Sequence, residues 1–230
     1  MAEVVLIRHG QASFGAANYD QLSDLGQQQA VWLGEQFSQM GYQPDRIVMG
    51  SMVRHRQTAQ GVVQGLGQPA INLEVQAGLN EYNFRGLLDP LQKQFPHQWQ
   101  DTGEAKKDYY FNMRQALAYW MTGEIASDGE DSWASFCQRI VAAFDFACSA
   151  QAETGQGFKK ILVVTSGGPI AVVLAHVLQL SHANTRQTTL HIKNTSCTKF
   201  LFNHQGFTLD SYNDISHLQR ADRAHAITFS

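Results

Sequence analysis

Apolar residues fall along this chain in two rhythms: short unbroken runs, and stretches where they recur every three or four positions. Unbroken runs predict strands buried on both faces of a sheet, and the longer period predicts amphipathic helices. Val4-Val5-Leu6-Ile7 is the first such run. Ser23-Asp24 then opens a helical stretch carrying Ala30, Leu33, Phe37 and Met40, which Gly41 and Pro44 stop. Arg46-Ile47-Val48-Met49 reads as a second strand. Ala59, Val62, Val63 and Leu66 mark a second helix closed by Gly67 and Pro69, and Ile71 to Val75 a third short strand. Strand–helix–strand–helix order predicts parallel pairing in an α/β fold.

From about Leu87 to Gly129 the pattern changes to Gln-rich and aromatic, with no strand signal, and predicts a helical insertion over one face of the sheet. Trp133, Phe136, Ile140, Phe144 and Ala147 give a further amphipathic helix. Ile161-Leu162-Val163-Val164-Thr165 is the strongest buried-strand signal. It runs through Ser166-Gly167-Gly168-Pro169 into a helix bearing Ile170, Val173, Leu174 and Val177, with Pro169 suited to a first helical turn. From His191 to Tyr212 the alternation predicts two or three strands, with a hairpin around Asn203-His204-Gln205-Gly206. No repeat or low-complexity linker interrupts this order, so residues 1–230 are expected to form a single domain.

At 230 residues and 43% hydrophobic content the chain can bury a sizeable core. Its 17 basic and 20 acidic residues leave a formal charge of −3, which gives no global attraction to nucleic acid or an anionic membrane. Cys137, Cys148 and Cys197 form no CxxC pair and read as structural thiols of a reducing compartment. Met1-Ala2-Glu3 leads straight into the first strand without the basic and long apolar regions of a signal peptide. No apolar run approaches the roughly 18 residues of a membrane span, so the expected location is the cytoplasm.

Candidate chemistry collects where predicted strands end, the edge at which parallel sheets bind ligands. Arg8-His9-Gly10 follows the first strand with a nucleophile, a forked cation for an oxyanion, and a residue that lets the backbone approach a ligand. Taken alone, the tripeptide also fits a turn in which His9 is merely a satisfied hydrogen-bonding residue. Ser51 to Ala59, after the second strand, brings Arg54 to the same edge. Leu79-Asn80-Glu81-Tyr82-Asn83-Phe84-Arg85-Gly86 brings a carboxyl group, and Ser166-Gly167-Gly168 a helix N-terminus suited to an anion. No H-x-x-x-H or H-E-x-x-H pair falls on a predicted helix, so no metal is expected. His55 and Arg56 read as solvated helix residues, and the aromatics from Tyr109 to Trp120 as packing for the insertion.

With these segments in order, the chain resembles the histidine phosphatase, or phosphoglycerate mutase-like, superfamily. The resemblance rests on Leu6-Ile7-Arg8-His9-Gly10-Gln11, Leu22-Ser23-Asp24-Leu25-Gly26 with Gln29-Ala30, and Ser51 to Ala59. It continues through Leu79-Asn80-Glu81 with Phe84 and Gly86, Gly129-Glu130-Asp131-Ser132, and Val163 to Gly168. It implies a three-layer α/β/α sandwich with a mostly parallel central sheet and a specificity cap at about 87–129. It further implies that His9 attacks phosphorus to form a phosphohistidine while Arg8 and Arg54 hold the phosphoryl oxygens. Glu81 would protonate the leaving oxygen and then activate water, which calls for a raised pKa. Gly10, Ser166 and Gly167 are the remaining expected phosphate contacts, and no cofactor is required.

Two departures bear on function. The superfamily usually carries a second histidine where this chain has Ser166, and a substitute could come from elsewhere, with His176, His191 and His204 weighed for it. Many relatives place an asparagine a few residues beyond Gly10, where this chain has Ser13-Phe14-Gly15; Gln11 and Ser13 are candidate pocket residues instead. Tyr82 stands where the mutase-like pattern has arginine, and Arg85 or Arg56 could supply that charge. The expected function is hydrolysis of a small phosphorylated metabolite. The alternatives are a weakly active or inactive relative that binds a phosphorylated ligand or a partner protein, and a mutase-like phosphotransfer.

Overall fold

Alternating side chains of the buried strands divide the hydrophobic residues between two cores, one on each face of a six-stranded sheet. The computed structural model describes residues 2–13, 20–126, 131–149 and 157–229. Strands β1 (Ala2–Arg8), β2 (Arg46–Met49), β3 (Leu73–Val75), β4 (Lys160–Thr165), β5 (Cys197–Asn203) and β6 (Gly206–Asp214) pair in the order β3-β2-β4-β1-β5-β6. The first four are parallel, and the β5–β6 hairpin adds antiparallel strands at one edge. Val4 and Leu6 of β1 enter one core with Ile161 and Val163, while Val5 and Ile7 enter the other with Leu162 and Val164. That division is the two-residue period of a strand expressed in three dimensions.

Helices α1 (Asp24–Gln39) and α2 (Val53–Leu66) cover the face of Val5 and Ile7, where Leu33, Phe37, Ala59 and Val62 pack. Ser23 caps α1 by accepting the Gly26 N–H at 3.0 Å, and Gly67, at φ 69°, ends α2 in the left-handed conformation. The opposite face carries α3 (Arg85–Gln94), α4 (Ala105–Thr122), α5 (Trp133–Ser149) and α6 (Gly167–Leu178). The result is a three-layer α/β/α arrangement with a mostly parallel sheet.

The expected helical stretch from residue 87 takes the form of α3, a short 3-10 turn at Pro96–Gln98, and α4; residues 127–129 lie outside the described residues. The third strand starts at Leu73 rather than Ile71. One further helix, α7 (His182–His191), carries no apolar stripe and buries Thr185 and Thr189. The three cysteines are unbridged, and burial pushes the Cys137 thiol up to about 11 and the Cys148 thiol to about 12, as inert structural thiols require. Among the described residues no helix is long and apolar enough to cross a membrane.

Candidate active site

The carboxyl end of β1 lies in the middle of the sheet, between β4 and β5, and there the chain turns sharply at Gly10. A Cβ on Gly10 would stand 2.3 Å from the Gly26 carbonyl oxygen, so only glycine lets the first turn of α1 close over this loop. The turn is fixed on several sides. His9 N–H donates to the Thr165 carbonyl at 2.8 Å, Gly10 N–H to Thr58 Oγ1 at 3.0 Å, and Gln11 N–H to Gln29 Oε1 at 2.8 Å. Asn194 Nδ2 donates to the His9 carbonyl at 3.1 Å.

His9 Nδ1 lies 2.7 Å from the Gly10 carbonyl oxygen, an atom that can only accept, so Nδ1 carries the proton. The lone pair of the neutral ring is therefore on Nε2. Burial, then the Arg54 and Arg8 charges, hold the His9 pKa well below the usual 6.5, outweighing the Gly10 carbonyl, so the ring is neutral at pH 7.

Arg8 Nη1 donates to the Ile192 and Phe229 carbonyls, which aims its guanidinium across the strand ends. Arg54, in the first turn of α2, is buried, and its Nη1 pairs with Asp20 Oδ1 at 2.8 Å. The other Asp20 oxygen accepts the Val53 N–H at 2.9 Å, which ties the carboxylate to the start of the same helix. Both guanidiniums are thus set by the fold before any ligand arrives.

Glu81 rides on a loop after β3 that is anchored from three directions. Thr165 Oγ1 donates to the Leu79 carbonyl at 2.6 Å, Ser51 N–H to Asn80 Oδ1 at 2.8 Å, and Arg139 Nη1 to the Gly78 and Asn80 carbonyls at 2.9 Å each. Arg139 is itself held by Asp131 at 2.6 Å, which gives the Asp131 motif its structural purpose; Gly129 and Glu130 lie outside the described residues. Glu81 Oε2 accepts the Gly168 N–H at 3.0 Å and Oε1 accepts the Tyr82 N–H at 3.2 Å. Burial nonetheless raises the Glu81 pKa above 4.5, against the lowering influence of Gly168, Arg54, Tyr82 and Arg8.

Arg8, His9, Arg54, Glu81 and Gly167 line one cavity of about 640 Å³, together with Gln11, Ser13 and Tyr82. Its outer wall is built by Phe84, just before α3, by Tyr109, Tyr110 and Met113 of α4, and by Ile227 and Phe229 near the end of the described chain. The aromatics around Tyr109 therefore both pack and border the cavity. Phe14 and Gly15 lie outside the described residues. Among the described residues no group of three or more His, Cys, Asp or Glu side chains is placed to hold a metal ion.

Four placements differ from the sequence reading. Arg85 is exposed at the start of α3 and does not line the cavity, because that helix turns its apolar side inward through Leu87 and Leu91. Gly10 stands behind the cavity wall, with its N–H spent on Thr58. Ser166 is fully buried and off the wall, and the N–H two residues on, at Gly168, is given to Glu81. His55 is not solvated: it is fully buried, with Nε2 2.7 Å from Ser166 Oγ and its ring centroid 5.8 Å from that of His9. Its neighbour Arg56 is exposed, as are His176, His191 and His204.

Among residues given no site role from sequence, Asn194, Gln29 and Thr165 brace the site, and Lys106 and Thr189 line it. Thr165 is a polar residue closing the apolar run of β4, whereas Asn194 lies in the polar stretch Lys193 to Ser196, where nothing local marks it as buried.

Comparison with known proteins identifies the family and the fold. The sequence profile described as the histidine phosphatase superfamily (branch 1) matches residues 4–215. A metal-independent phosphoserine phosphatase of Arabidopsis thaliana is 26% identical over 227 residues, covering 95% of this chain and 84% of that protein. A 2,3-bisphosphoglycerate-dependent phosphoglycerate mutase of Bartonella tribocorum is 28% identical over 102 residues; that match spans 42% of this chain and only 50% of the mutase. In three dimensions, the phosphoglycerate mutase of Bacillus anthracis str. Sterne shares the fold at a TM-score of 0.67 and 21% identity, over 94% of each chain.

Proposed function

The chain belongs to the histidine phosphatase superfamily, and within it we propose that this protein is a phosphatase that hydrolyses a small phosphomonoester through a phosphohistidine on His9. The observation that carries this reading is the His9 ring: Nδ1–H is committed to the Gly10 carbonyl, leaving a neutral Nε2 nucleophile in a cavity walled by two guanidiniums and a carboxyl of raised pKa.

The reaction follows from these groups. His9 Nε2 attacks phosphorus in line with the leaving oxygen; the N–P bond forms as the P–O bond breaks. Arg8 and Arg54 face the phosphoryl oxygens and offset their charge with donors that need no reorganisation. Glu81, protonated at the outset, gives its proton to the departing alkoxide. The resulting carboxylate, favoured by Arg8, Arg54 and two backbone N–H groups, then takes a proton from the water that cleaves the N–P bond. Phosphate leaves, and His9 and Glu81 return to their starting protonation states.

The cavity wall favours hydrolysis over transfer between two phosphorylated positions. Beyond Arg8 and Arg54, Lys106 at the exposed rim is the one Lys or Arg among the described lining residues, and Tyr82 packs on Trp120 at 5.3 Å between ring centroids. A bisphosphate would need a second built anion site there. The aromatic wall of Phe84 and α4 instead serves as a cap over a substrate with an apolar face, and about 640 Å³ suits a small metabolite.

Hydrolysis of 4-nitrophenyl phosphate between about pH 5 and about pH 8, by wild type and by His9→Ala, tests this. Turnover lost in the variant, with acid-labile phosphate trapped on the wild-type protein, is the expected result. Equal turnover by both proteins refutes it.

A further inference from the structure

The His9 ring is aimed by the Gly10 carbonyl, and the peptide that joins these two residues is itself held from the loop before β5. Its oxygen, the His9 carbonyl, accepts Asn194 Nδ2–H at 3.1 Å and the Thr195 N–H at 3.3 Å. The Thr195 N–H is shared with the Arg8 carbonyl at 3.0 Å, so the Asn194 amide is the shorter of the two ties to His9. Thr195 takes a φ of 54°, left-handed backbone that a β-branched residue adopts only where its surroundings hold it. The turn that presents Asn194 is therefore built, and something must hold it.

The segment Ala226–Phe229 does so. A carbonyl can only accept, so Nδ2 of Asn194 faces His9, and Oδ1 faces Thr228, whose hydroxyl donates to it at 2.9 Å. Thr228 Oγ1 accepts in turn from Gln29 Nε2 at 3.0 Å, because Gln29 Oε1 is taken by the Gln11 N–H. Gln29 Nε2 also donates to the Ala226 carbonyl at 2.6 Å, and the Asn194 N–H to the Thr228 carbonyl at 3.0 Å. The donors thus run in one direction, from Gln29 through Thr228 and Asn194 to the His9 carbonyl, and each bond polarises the next. Gln29 and Asn194 are fully buried, where such bonds are least exposed to competition from water. Thr228 borders the cavity between Ile227 and Phe229, yet its proton is spent on Asn194 and not available to a substrate.

We propose that Thr228 and Asn194 are positioning residues: the Thr228 hydroxyl aims the Asn194 amide at the His9 carbonyl, and the amide holds the nucleophile in its attacking orientation. The inference rests on the phosphohistidine reading and adds to it a segment 185 residues or more along the chain from His9. Neither side chain touches the reacting atoms. Their loss lets the His9–Gly10 peptide tilt and the ring with it, which slows attack on phosphorus and leaves the guanidiniums of Arg8 and Arg54 to bind phosphate as before.

Kinetics on 4-nitrophenyl phosphate for wild type, Thr228→Val, Thr228→Ser, Asn194→Ala and the Asn194→Ala/Thr228→Val double variant test it. Inorganic phosphate serves as competitive inhibitor, and thermal unfolding is recorded for each protein. Thr228→Val keeps the side-chain shape while removing the hydroxyl, which guards against misfolding. Thr228→Val and Asn194→Ala are each expected to lose at least about tenfold in kcat/KM, with the inhibition constant for phosphate changed less than about threefold. Thr228→Ser, which restores the hydroxyl, should recover at least about fivefold over Thr228→Val. The double variant should do no worse than Asn194→Ala, because the Thr228 proton then has no amide to orient. Thr228→Val within about threefold of wild type overturns the inference, as do equal rates for the valine and serine variants and losses that multiply in the double variant. A phosphate constant that rises in step with the lost kcat/KM overturns it too, since the whole site is then loosened. Wild-type turnover that survives His9→Ala removes the phosphatase reading itself, and this inference with it.

Discussion

Gly168→Ala isolates the placement of Glu81 from the stability of the fold. Gly168 lies in the first turn of α6, and an ideal Cβ there would stand 2.1 Å from Glu81 Oε1 and 2.8 Å from Tyr82 Cε1. Ordinary contact between such atoms begins near 3.4 Å, so the carboxyl must retreat by more than an ångström. That retreat also breaks or lengthens the 3.0 Å bond from Gly168 N–H, the one tie from α6 to the acid. A displacement of about 1 Å in a catalytic group costs about 10²-fold in rate. A methyl group inside a helix gains up to about 1 kcal/mol in propensity over glycine, which offsets part of the crowding, so the fold is expected to survive. The assay compares kcat/KM for an alkyl phosphate, which needs its leaving oxygen protonated, and for 4-nitrophenyl phosphate, which does not. This constant reports phosphoryl transfer to His9 and not the later hydrolysis that Glu81 serves for both substrates. Gly168→Ala is expected to lose about 100-fold on the former and much less on the latter, with thermal unfolding little changed. Equal losses on both, or none on the alkyl phosphate, would refute the placement of Glu81 as the acid.

Two further outcomes follow from the same geometry. Because the His9, His55 and His217 pKa values are lowered in the fold, His217 to about 4, the unfolded chain binds more protons than the folded one below pH 6.5. Their contribution to stability is complete above pH 6.5 and is lost as pH falls toward the folded values, so the thermal midpoint should drop on acidification, and less steeply in His55→Gln. Arg139→Ala, outside the cavity wall, frees the Gly78 and Asn80 carbonyls and the Asp131 carboxylate, and should lower kcat through looser Glu81 with a loss of about 1–3 kcal/mol in stability, read by denaturant unfolding.

How much of this was legible in the sequence depended on whether the signal was local. Unbroken apolar runs marked β1, β2 and β4 because strands buried on both faces need no alternation, and the hairpin of β5 and β6 turns at His204 and Gln205, within the stretch expected. Helix α7 escaped because it buries threonines instead of an apolar stripe; its one local mark is Ser181, which caps it by accepting the Asn184 N–H at 3.3 Å. Arg8 and His9 were legible at the carboxyl end of β1 and Arg54 in the first turn of α2, whereas Glu81 lies on the loop beyond β3 and its mark was the segment Leu79-Asn80-Glu81. Arg85 misled because a cation near an expected anion site is attractive in sequence, while the face of α3 that turns inward is set by Leu87 and Leu91. His55 was misread beside exposed Arg56, yet counting back four from Ala59 puts it on the stripe with Val62 and Leu66. Its partner, 111 residues away, had no local signature at all.

The central place of β1 in the sheet has a consequence for how the chain is made. Val4 lies opposite Ile161 on one side and Phe200 on the other, so both neighbours of the first strand are synthesised more than 150 residues after it. A nascent chain therefore carries Val4 to Ile7 with both hydrogen-bonding edges open until the residues of β4 and then β5 emerge. Pairing over such separations is entropically expensive and slow, and an open apolar strand can meet other chains before its own. The arrangement that puts His9 at the middle of the sheet thus makes the nucleophile-bearing segment among the last to be locked, and leaves this protein dependent on late-forming contacts for both solubility and activity.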